Sequence, residues 1–195
     1  MWRRVLAWIV AVAAGVALGG FSAWATIALG ASSFSAHYGA WSLNRAAGST
    51  AADPYTRAII ARYGLLALSS REALYFNLDR DEHGQPLSES CIYDLTGRDL
   101  DTRWWSVTLY ASDSYLARND DHAASIDSSR VSPGDDGLWH ARISSVQGSA
   151  VHWLSSRAAR RGFSLTLRVY NPQSEFAPSE DALPKLSTLS CASAP

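Results

Sequence analysis

The five histidines of this 195-residue chain are the first candidates for chemistry, because histidine is the commonest metal ligand and a frequent general base. No two of them have the His-x-His or His-x-x-x-His spacing that would bring two imidazoles to one metal ion. The segment from Asp79 to Gly84 begins like a calcium loop, but its fifth and twelfth positions hold His83 and Ser90. We therefore expect a solvated turn there, and neither a metal nor another cofactor. The histidines are His37, His83, His122, His140 and His152.

Nucleophilic catalysis has no recognisable residue set in the sequence. There is no Gly-x-Ser-x-Gly elbow, no Ser-x-x-Lys pair and no glycine-rich phosphate loop. The paired aspartates at 99/101, 120/121 and 135/136 stand in turn contexts, where aspartate is common for structural reasons. The net charge of −1 argues against a dedicated nucleic-acid-binding protein. These observations favour a binding or a structural role, with a hydrolase or lyase that works through Tyr or Arg as the open alternative.

Polar side chains alternate with apolar ones in two strand-like segments. Between residues 103 and 110, and again between 163 and 170, the even positions carry hydroxyl, aromatic or basic side chains. If both strands line one concavity, they form an aromatic, hydroxyl-rich groove with a single cation, which suits sugars or a small carboxylate. The alternative is an outer sheet face that only solvent wets. The candidate ligand-binding residues are Arg168, Tyr110, Tyr170, Ser106, Thr108, Trp104, Tyr93 and Trp153.

The elements that must position these residues are mostly strands. Asp53 and Pro54 are typical of a helix start, and the spacing after them predicts a helix from Pro54 to Leu68. Period-two alternation then predicts about eight strands, in which the first two and the fourth and fifth form hairpins. We expect an antiparallel, jelly-roll-like sandwich with one flanking helix. The predicted strands are Ala73–Leu78, Ser90–Leu95, Arg103–Tyr110, Ser125–Val131, Leu138–Ser144, Val151–Leu154, Phe163–Tyr170 and Leu186–Ser190.

An apolar segment precedes this domain. Residues 5–29 carry no charge and are long enough to cross a bilayer as a helix. The arginines at positions 3 and 4 hold the N-terminus in the cytoplasm by the positive-inside rule. Ala23-Trp24-Ala25 has the form of a signal-peptide cleavage site, so a cleaved leader is the alternative to an anchor. We expect an anchor or signal segment at 1–30 in the inner membrane, a linker at 31–52 and a periplasmic β domain at 53–195.

The two cysteines, Cys91 and Cys191, fit an oxidising compartment. A bridge between them would join the first predicted hairpin to the last strand. The alternative is two buried free thiols. With an export segment present, the disulfide is the better interpretation.

Several fragments together resemble a known bacterial family. They are Asp-Pro-Tyr-Thr-Arg-Ala at 53–58, Glu-Ala-Leu-Tyr-Phe at 72–76, Cys-x-Tyr at 91–93, Trp-Trp-Ser-Val-Thr-Leu-Tyr at 104–110 and Phe-Ser-Leu-Thr-Leu-Arg-Val-Tyr-Asn-Pro at 163–172. The combination is similar to domain of unknown function 1214, often found beside domain of unknown function 1254, over roughly residues 40–192.

The resemblance implies a jelly-roll-like fold and, in short members, a membrane segment before a single domain, with no settled activity. The chain departs from the family at His152-Trp153-Leu154-Ser155, where members often have Asn-Trp-Leu-Pro. We expect an envelope domain, held in the membrane by residues 5–29, that binds a small ligand, a sugar or an envelope polymer. A purely structural envelope protein is the further alternative.

Overall fold

A computed structural model of the chain describes residues 1–29, 35–43, 52, 54–62, 68–69, 71–173 and 176–192. These residues form two helices and ten strands, and the strands are arranged in two sheets. The helices are α1 (Trp2–Leu29) and α2 (Pro54–Arg62). The strands are β1 (Ala36–Tyr38), β2 (Trp41–Leu43), β3 (Ala73–Leu78), β4 (Cys91–Gly97), β5 (Thr102–Tyr110), β6 (Ser125–Asp127), β7 (Trp139–Ser144), β8 (Trp153–Ser155), β9 (Ser164–Pro172) and β10 (Lys185–Cys191).

Helix α1 is long and apolar enough to cross a membrane. Its apolar part covers the 25 residues Trp2–Thr26, and none of its most apolar stretch is buried inside the protein. At about 1.5 Å per residue, such a helix exceeds the roughly 30 Å thickness of a bilayer core. The unburied apolar side chains of this stretch distinguish it from a helix that packs into a soluble core.

The larger sheet has six strands in the order β1-β2-β3-β9-β5-β6, and all neighbours are antiparallel. The alternation that the sequence predicts for β5 and β9 decides which face is buried. Val107, Leu109, Leu165 and Leu167 are fully buried on the inner face. The even-numbered side chains of both strands therefore share the opposite face.

The smaller sheet has four strands in the order β10-β4-β7-β8, and its β7–β8 pair is parallel. Two buried indoles join it to the larger sheet: Trp105 and Trp139 stack with ring centroids 4.9 Å apart. Their Nε1–H groups donate to Asp99 Oδ1 at 2.9 Å and to the Arg98 carbonyl at 3.0 Å. Both rings thus keep a polar partner while their apolar surface fills the core.

Gly97 is required by this packing. A Cβ atom added there would lie 2.5 Å from the ring of Trp139. Any larger residue would push the indole away from Trp105. The glycine therefore sets the separation between β4 and the stacked rings.

The predicted hairpins are wrong, although the strands themselves are present. β4 pairs with β10 and β7, and β3 pairs with β2 and β9. β6 likewise pairs with β5 and not with β7. The chain crosses to the other sheet after β3, and Leu87 in this connection is fully buried. Alternation predicts the face of each residue, but it contains no information about which strand lies next to it.

Two strands, β1 and β2, lie in the segment that we predicted to be a linker. Trp41 of β2 is only 2% exposed, and its Nε1–H donates to the carbonyl of Pro184 at 2.6 Å. This bond ties β2, the second strand of the larger sheet, to the residue before β10. Helix α2 is described from Pro54 to Arg62, within the predicted helix. Leu68 is not helical, and residues 63–67 lie outside the described part of the chain.

The predicted disulfide is confirmed. Cys91 and Cys191 are bonded to each other and are register partners at one end of β4 and β10. The N–H of Ala192 donates to the Ser90 carbonyl beside the bridge. The bridge therefore holds the edge strand β10 on its neighbour and does not connect a hairpin of the larger sheet.

Replacing both cysteines, Cys91→Ser with Cys191→Ser, should destabilise the protein. The bridge closes a loop of 100 residues, for which chain entropy alone gives an upper limit of about 4.7 kcal/mol. Chemical denaturation of the oxidised protein should show a lower midpoint for the double variant, and reductant should lower the wild-type midpoint to the same value. Equal midpoints for oxidised wild type and variant would contradict this role.

Candidate functional site

The outward face of the six-stranded sheet, here called the polar face, collects most of the candidate residues. Directly opposite residues on antiparallel strands point to the same side. Tyr75, Arg168 and Ser106 are register partners across β3, β9 and β5, and Asp127 of β6 follows Ser106. One row across the sheet thus contains a phenol, a guanidinium, a hydroxyl and a carboxylate.

Arg168 lies half-buried at the centre of the polar face. Its NH1 donates to Thr108 Oγ1 at 3.1 Å, and its NH2 donates to the Tyr110 hydroxyl at 2.6 Å. The guanidinium carbon is 5.4 Å from the ring centroid of Tyr110 and 6.0 Å from that of Tyr75. Two hydrogen bonds and two aromatic rings therefore fix the direction of the cation.

The charge of Arg168 is not neutralised within the described part of the chain. No described carboxylate oxygen lies within 4.0 Å of its nitrogens. Two of the five N–H protons of a guanidinium are used in the bonds to Thr108 and Tyr110, so three remain. Nε has no hydrogen-bond partner among the described residues. Such an arrangement fits a carboxylate or another planar anion.

An aromatic pair occupies the other end of the same two strands. Trp104 and Tyr170 are register partners with ring centroids 5.2 Å apart and planes inclined at 45°. Trp104 is 37% exposed. The guanidinium of Arg168 bends away from this pair, because its partners Thr108 and Tyr110 lie further along β5 in the opposite direction. The two aromatic regions are thus separate features of one face.

Small hydroxyl side chains form the surface between these two ends. Ser106 and Thr108 are buried, and so is Thr166, whose hydroxyl donates to Asn77 Oδ1 at 2.8 Å. The hydroxyl of Ser106 has no hydrogen-bond partner among the described residues, and Ser106 is only 7% exposed. It is a spare donor and acceptor beside Arg168.

Two segments border the polar face. On the β3 side, the N–H of Leu68 approaches the Tyr75 hydroxyl at 3.4 Å. On the β6 side, Asp127 binds the Nε of Arg130 at 3.1 Å and accepts the N–H of Ser129 at 3.0 Å. Arg130 is therefore neutralised by its own loop. Among the described residues, Arg168 instead contacts hydroxyl groups and aromatic rings.

Six of the eight candidate residues come together on the polar face: Arg168, Tyr110, Tyr170, Ser106, Thr108 and Trp104. Tyr93 and Trp153 do not, because their strands belong to the smaller sheet. Tyr93 is 1% exposed, and its hydroxyl accepts the N–H of Ser88 at 2.8 Å. Burial raises the pKa of Tyr93, as expected for a phenol in the core. The Trp153 Nε1–H donates to the Ser144 carbonyl at 3.1 Å.

Sequence reasoning missed Tyr75, Asn77 and Asp127. The alternation of β3 places Tyr75 and Asn77 opposite the buried Phe76 and Leu78. That signal was present, but the expected hairpin placed β3 beside β4 and not beside β9. Asp127 lies in the predicted strand Ser125–Val131, of which the structure forms Ser125–Asp127, but the expected hairpin placed that strand beside β7 and not beside β5.

A second ion pair uses one arginine of the 157–161 segment. Arg157 binds Asp121 through Nε at 2.9 Å and through NH2 at 2.5 Å, and the Ser155 hydroxyl donates to the same carboxylate at 2.6 Å. The Arg157 guanidinium lowers the pKa of Asp121. Glu89 accepts the backbone N–H of Arg160 at 2.7 Å. These contacts fasten loops, whereas the side chains of Arg160 and Arg161 are exposed and take part in no described ion pair.

The described residues form no metal-binding cluster. Among them, no three or more His, Cys, Asp or Glu side chains come together in a way that could hold an ion. Asp81, in the calcium-like segment, accepts the N–H groups of His83 and Gln85 through one oxygen. This carboxylate shapes the turn between β3 and β4.

Taken together, the described residues define a two-sheet β domain with a half-buried, hydrogen-bonded arginine on the larger sheet, preceded by an apolar helix. Residues 72–174 match the model of a family described as protein of unknown function (DUF1214). The match spans more than half of the 195 residues, and the chain belongs to this family. The matched segment includes β3, β5 and β9, the three strands that carry Arg168 and its partners.

Two solved structures are similar to the chain. The VPA0106 protein from Vibrio parahaemolyticus is 23% identical with a TM-score of 0.58, over 72% of this chain and 36% of that one, and it shares the fold. A putative uncharacterized protein from Burkholderia cenocepacia is 15% identical with a TM-score of 0.47, over 60% of this chain and 29% of its own. The chain thus spans about a third of the length of these structures. No curated protein matches it.

A titratable cluster lies on the outward face of the smaller sheet. His140 Nε2 is 2.9 Å from Asp136 Oδ2, and His140 Nδ1 is 3.4 Å from Asp94 Oδ2. Hydrogen bonding to Asp136, and then to Asp94, raises the pKa of His140. The Leu138 N–H and then His140 lower the pKa of Asp136. The cluster therefore favours the imidazolium form of His140.

Stability should decrease as the pH rises through the pKa of His140. Because that pKa is raised on folding, the stabilisation is fully present below the ordinary value of about 6.5 and is lost above it. In His140→Asn, the free energy of unfolding should depend less on pH in this window, as measured by urea denaturation at several pH values. An unchanged slope in the variant would contradict the assignment.

Proposed function

We propose that this chain is a membrane-anchored domain of the bacterial cell envelope that binds a small organic anion on its polar face, within a jelly-roll-like sandwich. One observation carries the proposal: Arg168 is half-buried, held in place and without a described carboxylate partner. A buried or half-buried charge normally has a counterion. The proposed ligand supplies it.

The neighbours of Arg168 hold its guanidinium in an orientation suited to binding an anion. Thr108 and Tyr110 hold two N–H groups, so the guanidinium has lost much of its conformational freedom before any ligand arrives. A carboxylate can then accept the remaining N–H protons in a bidentate arrangement. The Ser106 hydroxyl stands beside it as a further donor. Lysine at this position would keep the charge but lose the planar fork.

The N-terminal segment and the cysteines support the proposed location of the domain. We place α1 in the inner membrane with its N-terminus in the cytoplasm, because Arg3 and Arg4 precede it. The domain then lies in the periplasm, where the bridge between Cys91 and Cys191 is chemically stable. A tethered domain of this kind would collect its ligand close to the membrane.

Binding should depend on the guanidinium of Arg168. Isothermal titration of the full chain in detergent with D-galacturonate, benzoate and succinate should detect at least one ligand. Arg168→Gln should weaken that affinity roughly 10- to 100-fold, the effect expected for losing a hydrogen-bonded charge worth about 1.5–3 kcal/mol. The affinity of Arg168→Lys should lie between that of the wild type and that of Arg168→Gln.

The matched control is Arg103→Gln, which removes an exposed arginine from the start of β5 in the same sheet. It should bind like the wild type. Failure of all three anions to bind, or equal affinities for Arg168→Gln and wild type, would overturn the proposed site.

The anchor predicts that the mature protein keeps its N-terminal helix. Intact-mass measurement of the chain recovered from bacterial membranes should give a protein that includes residues 1–29. The protein should also resist extraction by alkaline carbonate, because a spanning helix is not released by breaking ionic contacts. A mature chain that begins at Thr26 would contradict the anchor and support a cleaved leader.

A further inference from the structure

We infer that the turn of residues 132–138 is held by a proton-controlled latch, which His140 closes onto the smaller sheet when its imidazole is protonated and opens when it is neutral. The turn joins β6 of the larger sheet to β7 of the smaller one. The latch lies on the outward face of the smaller sheet and is independent of the anion site proposed for the polar face.

The latch consists of one imidazole between two carboxylates from different parts of the chain. Asp136 lies in the turn, and its Oδ2 is 2.9 Å from His140 Nε2. Asp94 lies on β4, and its Oδ2 is 3.4 Å from His140 Nδ1. Because His140 itself belongs to β7, one side chain connects the turn with two strands of the sheet.

Only the imidazolium can donate to both carboxylates. Each of its two ring nitrogens carries a proton, whereas a neutral imidazole has a proton on one nitrogen and a lone pair on the other. After deprotonation, one ring nitrogen therefore presents a lone pair to a carboxylate oxygen, and the two repel each other. Whichever tautomer forms, the connection from Asp136 through His140 to Asp94 is broken.

Both carboxylates keep another partner when the latch opens. Arg142 Nε lies 3.6 Å from Asp94 Oδ1, and Asp136 Oδ1 accepts the N–H of Leu138 at 2.9 Å. Opening therefore leaves neither acid isolated, which makes the open form accessible in the folded protein.

The turn has few other attachments among the described contacts. The N–H groups of Gly134 and Gly137 donate to carbonyls inside the turn, which keeps its shape but does not fasten it to a sheet. The N–H of Ser132 approaches His152 Nε2 at 3.5 Å, the limit of a hydrogen bond. His152 can accept this bond only when that nitrogen is unprotonated, so its titration acts in the opposite direction to that of His140.

The sign of the pH effect follows from the hydrogen bonds of His140. Those to Asp136 and then to Asp94 raise the pKa of His140. The latch is therefore fully closed below the ordinary value of about 6.5 and opens as the pH rises through the raised pKa. The other charged groups near this face, Arg142 of β7 and Lys185 of β10, are paired with Asp94 and Asp181.

Spin labelling of the turn tests the latch. In Asp135→Cys, which changes an exposed residue of the turn, the full chain in detergent is labelled with a nitroxide in the absence of reductant, so that the native disulfide stays intact. Electron paramagnetic resonance should show a restricted label one pH unit below the ordinary histidine value of about 6.5 and a more mobile label about two units above it. The ratio of mobile to restricted label should rise roughly two- to fivefold, the size of effect typical of exposed ion pairs. Its midpoint should match the NMR titration of the His140 ring.

Three further variants of the labelled chain separate the latch from other effects. His140→Asn should give the mobile spectrum at both pH values, and Asp94→Asn should reduce the pH response, because the imidazolium then has one carboxylate only. The matched control is His83→Asn, which removes an exposed histidine 3.8 Å from Glu82 in another loop and should leave the response unchanged. A nitroxide placed instead at Asp113→Cys, exposed in the loop after β5, should show no pH response.

Four results would overturn the latch. They are a label at position 135 whose mobility stays constant while His140 titrates, mobility that falls as the pH rises, and an undiminished pH response in His140→Asn. The fourth is an equal pH response of the label at position 113, because it would show a loosening of the whole domain instead of a local opening.

Discussion

The antiparallel pairing of β5 with β9 is the constraint on which the rest of the structure depends. Its register places Ser106 opposite Arg168 on one side and Val107 opposite Leu167 on the other. A shift by one residue would turn the guanidinium into a core of fully buried side chains. A buried charge without a partner is costly, so this register is strongly favoured over one shifted by a single residue. The arrangement that builds the core therefore also builds the polar face.

The smaller sheet supports this pairing from behind. Trp139 stacks on Trp105, directly beneath the strand that carries Trp104 and Ser106. Gly97 leaves room for the ring, and the bridge from Cys91 to Cys191 keeps β10 on the edge of the same sheet. The polar face thus lies on a rigid two-layer support. Rigid support matters for binding, because a prearranged site loses less entropy when it captures a ligand.

The sequence predicts the features of the fold that depend on neighbouring residues, and it misses those that depend on contacts between distant parts of the chain. Alternation is local, and it predicts β3, β5 and β9, the shared side of Trp104 and Tyr110 on β5, and the shared side of Arg168 and Tyr170 on β9. Strand partners depend on the path of the chain, which is why Tyr93 was expected beside the groove. Its hydroxyl instead satisfies the Ser88 N–H in the core. The three-residue strands β1 and β2 are too short to show a period, so a linker was expected there.

The central claim is that the free positive charge of Arg168 is an anion site. Its most direct test is the NMR signal of the arginine Nε–H groups in the full chain in detergent micelles, recorded during addition of D-galacturonate. The account predicts a saturable shift of the Arg168 signal, because its Nε–H is a spare donor, and no shift of Arg157, which is already bound to Asp121. An Arg168 signal that stays unchanged while another arginine shifts would contradict it.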